Sequence, residues 1–518
     1  MPLLGFPPFE VNFWQLLAVT AIGLTTYSLT NAIYQLYFSP LSKIPGPWYA
    51  AVSPAFYLIT CIRGNTIYSW DRLHSQYGPY VRVAPSVIMI CDPESAKKIH
   101  SSSDVFRKGS WYENSERSMK GIVFITDPEE YRGRRRVFGN VFSKSNTALL
   151  EPAVRRHMEV CYKKIGKRLD NGEIVNMKKW LHWAAADIGG LVCFGEDFGM
   201  IKDEFESSIV EGCVNFTIVA GVQAYIPYFK HITWFLSFIP YERIQWFCRN
   251  EEQLRIFSAD ILQRIKREIQ GCKDGHPRPS LFSAILDSVD NPHAKYKLEK
   301  NDLVSDAATF MIGAVDTSAI LATYMTWIIF RHPNIKKKLI AELKSIGWTQ
   351  GDHDDGITDE MLQELPYFNM FLQESLRFYA PVQFGLSRVV PDGGRLLGQY
   401  FIPGGTECFA PAYTLHRDPK IFDDPLTFKP ERWLNPTKEM ESVLLTFGGV
   451  SRLCPGQHIA MMELRLGVFL LLKYCFSARL ADSCTDESMM LMDRTVIYPR
   501  SNKLDLQKEE GGTENSER

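Results

Sequence analysis

Between Glu10 and Lys43 no charged residue interrupts the chain, and the stretch Phe13–Thr30 is apolar almost throughout. At about 1.5 Å per residue, roughly 20 residues cross a bilayer core of ~30 Å, so this pattern predicts a transmembrane helix. A cleaved signal peptide would want positive charge before the apolar run and a small-residue cleavage site after it. Here Glu10 precedes the run and NAIYQLYFSPLSK ends it, which favours an uncleaved anchor. Lys43 and Arg63 beyond it place the body of the chain on the cytosolic side. Pro45-Gly46-Pro47 then fixes a bent linker. Further along, YVRVAPSVIMIC (Tyr80–Cys91) alternates around a proline and predicts a hairpin, and a second strand cluster spans Gly394–Tyr413 with its turn at Pro403-Gly404-Gly405. Ser258–Gln270 has the apolar stripe of an amphipathic helix stopped by Gly271. Asp302–Arg331 predicts the longest helix of the body, capped by Asn301 or Asp302 and ended by His332-Pro333. It is apolar on nearly every face from Ala307 to Phe330, so it belongs in the middle of the core. From Gln507 the chain is polar and glycine-containing, a disordered tail.

These patterns predict a mainly α fold with small β-sheets. It divides into an anchor and flank (1–42), one body (43–506) and a tail (507–518). No repeat of 20–50 residues is present, which excludes a solenoid. Lys+Arg total 58 against Asp+Glu 59, so the net charge of -1 gives no global field for nucleic acid. The 11 cysteines include no CxxC pair, against a zinc ribbon or a dithiol redox site. Their odd number at irregular spacing also excludes a secreted disulfide framework. HExxH, P-loop, GxSxG and GxGxxG patterns are absent, so protease, kinase, hydrolase and dinucleotide-binding readings have no support. His353-Asp354-Asp355-Gly356 reads as a solvated turn, and the sequon Asn215-Phe216-Thr217 would stay unmodified on a cytosolic body.

The long buried helix contradicts itself locally. Asp316 and Thr317 stand at its centre, one turn after Gly313, and a buried carboxylate is costly unless paired or solvated. One reading is a kink in which Thr317 bonds back to the carbonyl of Gly313. The other is a notch that holds water beside an acid and a hydroxyl able to pass protons. A second chemical signal is Phe447-Gly448-Gly449-Val450-Ser451-Arg452-Leu453-Cys454-Pro455-Gly456, followed by the helical run QHIAMMELRLGVFLLLKY. Cys454 thus stands at a helix N-terminus, where the dipole and Arg452 favour a thiolate. One such thiolate suits an iron already held by a porphyrin. The plain alternative is a buried structural cysteine.

The loop resembles the haem-binding loop of the cytochrome P450 family, FGxGxRxCxG, at Phe447, Gly448, Arg452, Cys454 and Gly456. At background usage of roughly one in twenty each, about 10⁻⁴ chance matches are expected in a chain of this length. The departure is Val450, where the family usually has glycine. Other family elements follow in order. Glu374 and Arg377 form an ExxR pair on a helix, and Pro430-Glu431-Arg432-Trp433 lies between it and the cysteine. Residues at i and i+3 share a helix face, so Glu374 can bridge Arg377 and Arg432. Gly313–Ser318 (GAVDTS) resembles the oxygen-activating helix, with Ala314 where glycine is common. Glu129–Arg136 (EEYRGRRR) resembles the family's WxxxR helix, with Tyr131 replacing the tryptophan and Arg135 as the arginine.

The resemblance implies a P450 fold and haem b as cofactor, with Cys454 as axial iron ligand. It implies Arg135, Arg388 and Arg452 as partners of the haem propionates, with Tyr131, Phe447 and Gly456 at the same group. Glu374, Arg377 and Arg432 would be a structural lock, and Asp316 and Thr317 would deliver protons during oxygen activation. Trp111, Tyr112 and Val382–Phe384 would line the pocket, and the aromatic stretch Phe216–Phe247 would border its access. The implied reaction is insertion of one oxygen atom from dioxygen into a small lipophilic molecule. Electrons would come from NADPH through NADPH–cytochrome P450 reductase, with cytochrome b5 as a further donor. The implied location is the endoplasmic reticulum membrane, single-pass, with a cytosolic catalytic body. TLHRDPKIFDDPLTFKPERW resembles filamentous-fungal enzymes of secondary metabolism, which leaves polyketide, terpenoid and alkaloid substrates open. The rivals are a haem-thiolate isomerase or dehydratase that needs no reductase, and a haem-binding sensor. The Asp316–Thr317 pair counts against both, because neither needs protons delivered to dioxygen.

Overall fold

A computed structural model describes residues 12–509 apart from 102–105, 117–118, 140, 208–210, 214–215, 217–220, 222, 227–228, 272–279, 290–295, 297 and 350–355. Residues 353–355, Asn215 and Thr217 of the sequon, and the tail beyond Glu509 lie outside the described residues. The apolar N-terminal run forms α1 (Phe13–Ile33), started by a capping box between Asn12 and Gln15. None of its residues is buried, and a helix this apolar with nothing packed on it fits a membrane anchor. One further turn, Tyr34–Phe38, carries it to the body.

Arg82 makes that junction. Its guanidinium donates to the carbonyl of Gln35 at 2.8 Å, to Gln35 Oε1 at 2.5 Å and to the carbonyl of Pro85 at 2.7 Å. Gly46 of the linker lies against the Arg82 backbone with no room for a Cβ, so the bend and the strand lock together.

After α2 (Thr66–Tyr77), the predicted hairpin is β1 (Tyr80–Ala84) and β2 (Val87–Ile90), antiparallel with an irregularity between Arg82 and Ala84. They join β3 (Arg107–Lys108), β4 (Arg388–Val389) and β5 (Glu407–Phe409) in a five-stranded sheet ordered β1-β2-β5-β4-β3. The strand cluster expected over Gly394–Tyr413 is therefore divided. Arg395–Leu397 pairs with Tyr400–Ile402, while β5 crosses to run parallel to β2.

The helical part is built around α6 (Lys300–Arg331), 32 residues and about 48 Å long. Its cap is Glu299, which shares a capping box with Asp302, rather than Asn301 or Asp302 as the sequence predicts. The main hydrophobic cluster surrounds it, with α3 (Pro128–Gly139), α4 (Met177–Phe194) and α5 (Glu242–Gly271) before it, and α7 (Pro366–Phe378) and α8 (Gln457–Tyr474) after it. The amphipathic run expected at 258–270 is the second half of α5. A C-terminal hairpin of β6 (Leu491–Arg494) and β7 (Val496–Pro499) returns to the core, where Ile497 donates to the carbonyl of Pro381 at 2.9 Å.

Candidate active site

The ExxR pair lies at the end of α7, where both side chains are fully buried. Arg377 holds Glu374 through two bonds of 2.8 and 2.7 Å. Glu374 also accepts from Arg432 Nε at 3.0 Å, from Trp433 Nε1 at 2.9 Å and from the Lys429 amide at 2.8 Å. Burial alone would raise this carboxyl, but the Arg377 guanidinium and the other donors hold it below its usual range. The two arginines spend their remaining donors on carbonyls of His416, Pro425, Asp423 and Thr427. The cluster thus ties α7 to the meander that leads into the cysteine loop.

That loop turns at Gly448, whose φ of +80° is open to glycine and strained for other residues. The Cys454 amide donates to the Phe447 carbonyl at 2.8 Å and closes the turn. Val450 stands 80 % exposed, so its side chain projects into solvent and the departure from the glycine pattern leaves the loop intact. Cys454 faces inward next to the start of α8. Burial pushes its thiol upward, against the Gly456 amide and the charge of Arg135, which lower it. The loop arginine, Arg452, lies instead over the Tyr131 ring at 4.1 Å. In the protein alone, desolvation therefore outweighs the helix-end stabilisation of a thiolate that the sequence predicts.

Cys454 opens onto a cavity of about 320 Å³ between this loop and α6. The opposite wall is Gly313, Ala314, Thr317 and Ser318; Phe447, Gly448 and Gly456 flank the cysteine. Val382 and Tyr112 also line it, whereas Trp111 is buried behind and packs on Phe384, which turns to a different cavity. The aromatic stretch contributes Trp234, Phe235 and Phe238 to the surface, 58–67 % exposed.

Asp316 does not line this cavity. Neighbours on a helix point about 100° apart, and here Thr317 and Ser318 turn to the cavity while Asp316 does not. Thr317 turns to the cavity and donates to the Gly313 carbonyl at 2.7 Å, the back-bond that the sequence allowed. Asp316, 1 % exposed, turns behind the helix. It accepts from Tyr498 Oη at 2.8 Å and lies 3.5 Å from His182 Nε2. The expected notch with acid and hydroxyl side by side is absent from this arrangement.

Four cations share the cavity lining: Lys108, Arg135, Arg388 and Arg452. Lys108 and Arg388 are directly opposed on β3 and β4, both buried, a pairing that repels unless an anion lies between or beside them. Arg135 Nη1 and Arg452 Nε are buried without a hydrogen-bond partner among the described residues. Facing them is a thiol and an otherwise apolar space. This donor set fits a flat apolar group that carries carboxylates at one edge and takes a single sulfur ligand at its centre, which is the chemistry of haem.

Sequence reasoning missed Lys108, because a two-residue strand carries no motif. It also missed Glu463, the sole acidic side chain lining the cavity among the described residues. Glu463 lies on α8 and is pushed up to about 7 by burial, against a hydrogen bond from Ser318. In the sequence it is one polar residue in an apolar helix, and only the packing of α8 against α6 gives it a role.

A long buried helix facing a cysteine loop, with the ExxR lock behind, defines a haem-thiolate protein. The sequence profile described as Cytochrome P450 matches residues 45–503, so the chain belongs to the cytochrome P450 family, whose members are haem oxidoreductases. Cytochrome P450 monooxygenase orf2 of Aspergillus niger is 28 % identical over 480 residues, covering 92 % of this chain and 95 % of the relative. Cytochrome P450 monooxygenase stcB of Emericella nidulans is 29 % identical over 491 residues, 92 % and 90 % of the two chains. The crystal structure of the cytochrome P450DA heme domain superposes with a TM-score of 0.72 at 18 % identity, over 90 % of this chain and 98 % of that one, and shows the same fold.

Proposed function

We propose that the protein is a membrane-anchored monooxygenase that inserts one oxygen atom from dioxygen into a small lipophilic fungal secondary metabolite of polyketide, terpenoid or alkaloid type. Electrons come from NADPH through NADPH–cytochrome P450 reductase, with cytochrome b5 as an additional donor. The chain is held in the endoplasmic reticulum membrane by α1, with the body in the cytosol. The observation that carries this reading is the placement of Cys454 across one apolar cavity from Thr317, with unpartnered guanidinium atoms at its edge.

Bound haem supplies the redox centre at which dioxygen is activated. Cys454 would supply its sulfur ligand, and Arg135, Arg388, Arg452 and Lys108 would hold its carboxylates, with Tyr131 beneath Arg452. Phe447 and Gly456 set the loop around the sulfur. Thr317 already gives its hydroxyl proton to the Gly313 carbonyl, so Oγ1 faces the cavity as an acceptor and can hold a water there. Glu463, a carboxyl that exchanges its proton near neutrality, supplies protons through Ser318 to the same wall. Asp316 is held behind α6 by Tyr498 and reaches the cavity only by turning its side chain. The apolar lining excludes bulk water and admits a lipophilic substrate.

Replacing the ligand tests the reading. Cys454→Ala is expected to abolish the red-shifted Soret band of the reduced carbon-monoxide complex and all substrate-dependent NADPH consumption. A variant that kept that band would overturn the assignment of the sulfur ligand.

A further inference from the structure

The turn of residues 121–124 lies outside every helix and strand, yet its Ile122 and Val123 close one side of the cavity. The Phe124 amide donates to the Gly121 carbonyl at 2.9 Å and shapes the turn. What holds it in place is α6. Asp306 accepts from the Ile122 amide at 2.6 Å. Gly121 lies so close to Thr309 and the Ser305 carbonyl that a Cβ has no room. Arg134 of α3 completes the hold. Its Nη1 donates to the Lys120 carbonyl at 3.0 Å and to Asp306 Oδ2 at 3.1 Å, and its Nη2 reaches Asp302 and Glu130.

The side chains of Arg134 and Asp306 are fully buried. Such a pair adds little net stability, because desolvation offsets the attraction and apolar residues of similar volume often serve as well. What it imposes is geometry, since a partner that moves away strands a buried charge. Here the geometry fixes one turn against two helices.

That turn in its place serves Lys108. The ammonium donates to the Val123 carbonyl at 2.6 Å and to the Ile122 carbonyl at 3.4 Å, and it lies 4.7 Å from the centre of the Tyr131 ring. Lysine carries its charge on a flexible four-carbon stem, and β3 holds the backbone over two residues only. The charge therefore stands where the turn's carbonyls stand. We propose that the Arg134–Asp306 pair is a positioning device for the haem edge, which sets through the turn of residues 121–124 where Lys108 meets a haem carboxylate. Arg134 and Arg135 then divide the work of α3, one fixing the turn and the other lining the cavity. This role needs haem in the cavity and does not depend on the reaction proposed there.

The test follows haem loss from full-length holoenzyme in lipid nanodiscs to excess apomyoglobin. It is run at about pH 8, because burial pushes the Asp306 carboxyl up to about 7 against Arg134 and the Ile122 amide. Lys108→Met and Asp306→Asn are each expected to speed the loss about tenfold, as one lost hydrogen bond to a charged group implies, with the carbon-monoxide band in place. The double variant is expected to lose haem within about twofold of Lys108→Met alone, because Asp306 acts through that lysine. Gly121→Ala displaces the same turn without touching the ion pair, and it is expected to repeat both results should Asp306→Asn not fold. Haem loss unchanged by Lys108→Met, or unchanged by the turn variants, would overturn the proposal. So would an equal acceleration by Asp306→Asn with and without Lys108→Met, which is what a merely structural pair gives. A wild type that binds no haem would overturn the haem reading and this role together.

Discussion

Thr317 and Asp316 are bonded neighbours, yet one faces the cavity and the other a buried tyrosine. That difference separates their roles. Thr317→Ala removes the hydroxyl that stands one turn after Gly313 on the cavity wall, so it is expected to leave haem binding intact and to raise NADPH consumed and peroxide released per product several-fold. Unchanged coupling would remove Thr317 from proton delivery. Glu463 gives a pH signature. Its folded carboxyl sits at about 7 against an ordinary value of 4.5, so the native state binds this proton more tightly than the unfolded chain. The stabilisation is complete below about 4.5 and is lost as pH rises through about 7, amounting to roughly 3 kcal/mol across that window. Glu463→Gln is expected to flatten the fall of thermal stability between pH 5 and 8; an unchanged slope would show that the acid is not buried in its neutral form. The sequence revealed Thr317 and Cys454 because each breaks a local rule, a polar residue in an apolar helix and a cysteine in a glycine-rich loop. Glu463 breaks the same rule in α8 but matches no motif, Lys108 breaks none, and the significance of both exists only after distant segments meet.

At the scale of elements, the Glu374 cluster joins α7 to the segment before the cysteine loop. Its carboxylate serves two arginines, an indole and an amide, so removing the charge leaves buried cations unmatched. Glu374→Gln is expected to cost about 3–5 kcal/mol, seen as a lower melting temperature and a loss of haem content together. A stable variant with full haem content would mean that the loop does not need this tie. The elements themselves were legible where periodicity was long. Helices α1, α6 and α8 follow from sustained apolar runs with recognisable ends, and the β1–β2 hairpin from alternation around a proline. The strands around the cation cluster were not, since β3 and β4 have two residues each and owe their existence to pairing across the chain.

For the whole molecule, the apolar helix outside the body and the cavity beside Cys454 set the working geometry. Arg82 fastens the end of α1 to the first sheet, and exposed Trp234, Phe235 and Phe238 offer further apolar surface, which suits the proposed membrane attachment. Architecture and haem chemistry could be read from ordered motifs, whereas the full lining of the cavity could not, because Lys108 and Glu463 reach it only through the packing of distant segments. The reaction proposed for the cavity beside Cys454 is transfer of an oxygen atom from dioxygen to a small lipophilic molecule. A decisive experiment incubates the membrane-bound protein with reductase, NADPH and isotopically labelled dioxygen, using an extract of its source organism from which this gene has been deleted. A new product that carries one labelled oxygen atom and forms only with NADPH is the expected result. A new product without label, or one formed without NADPH, would contradict it.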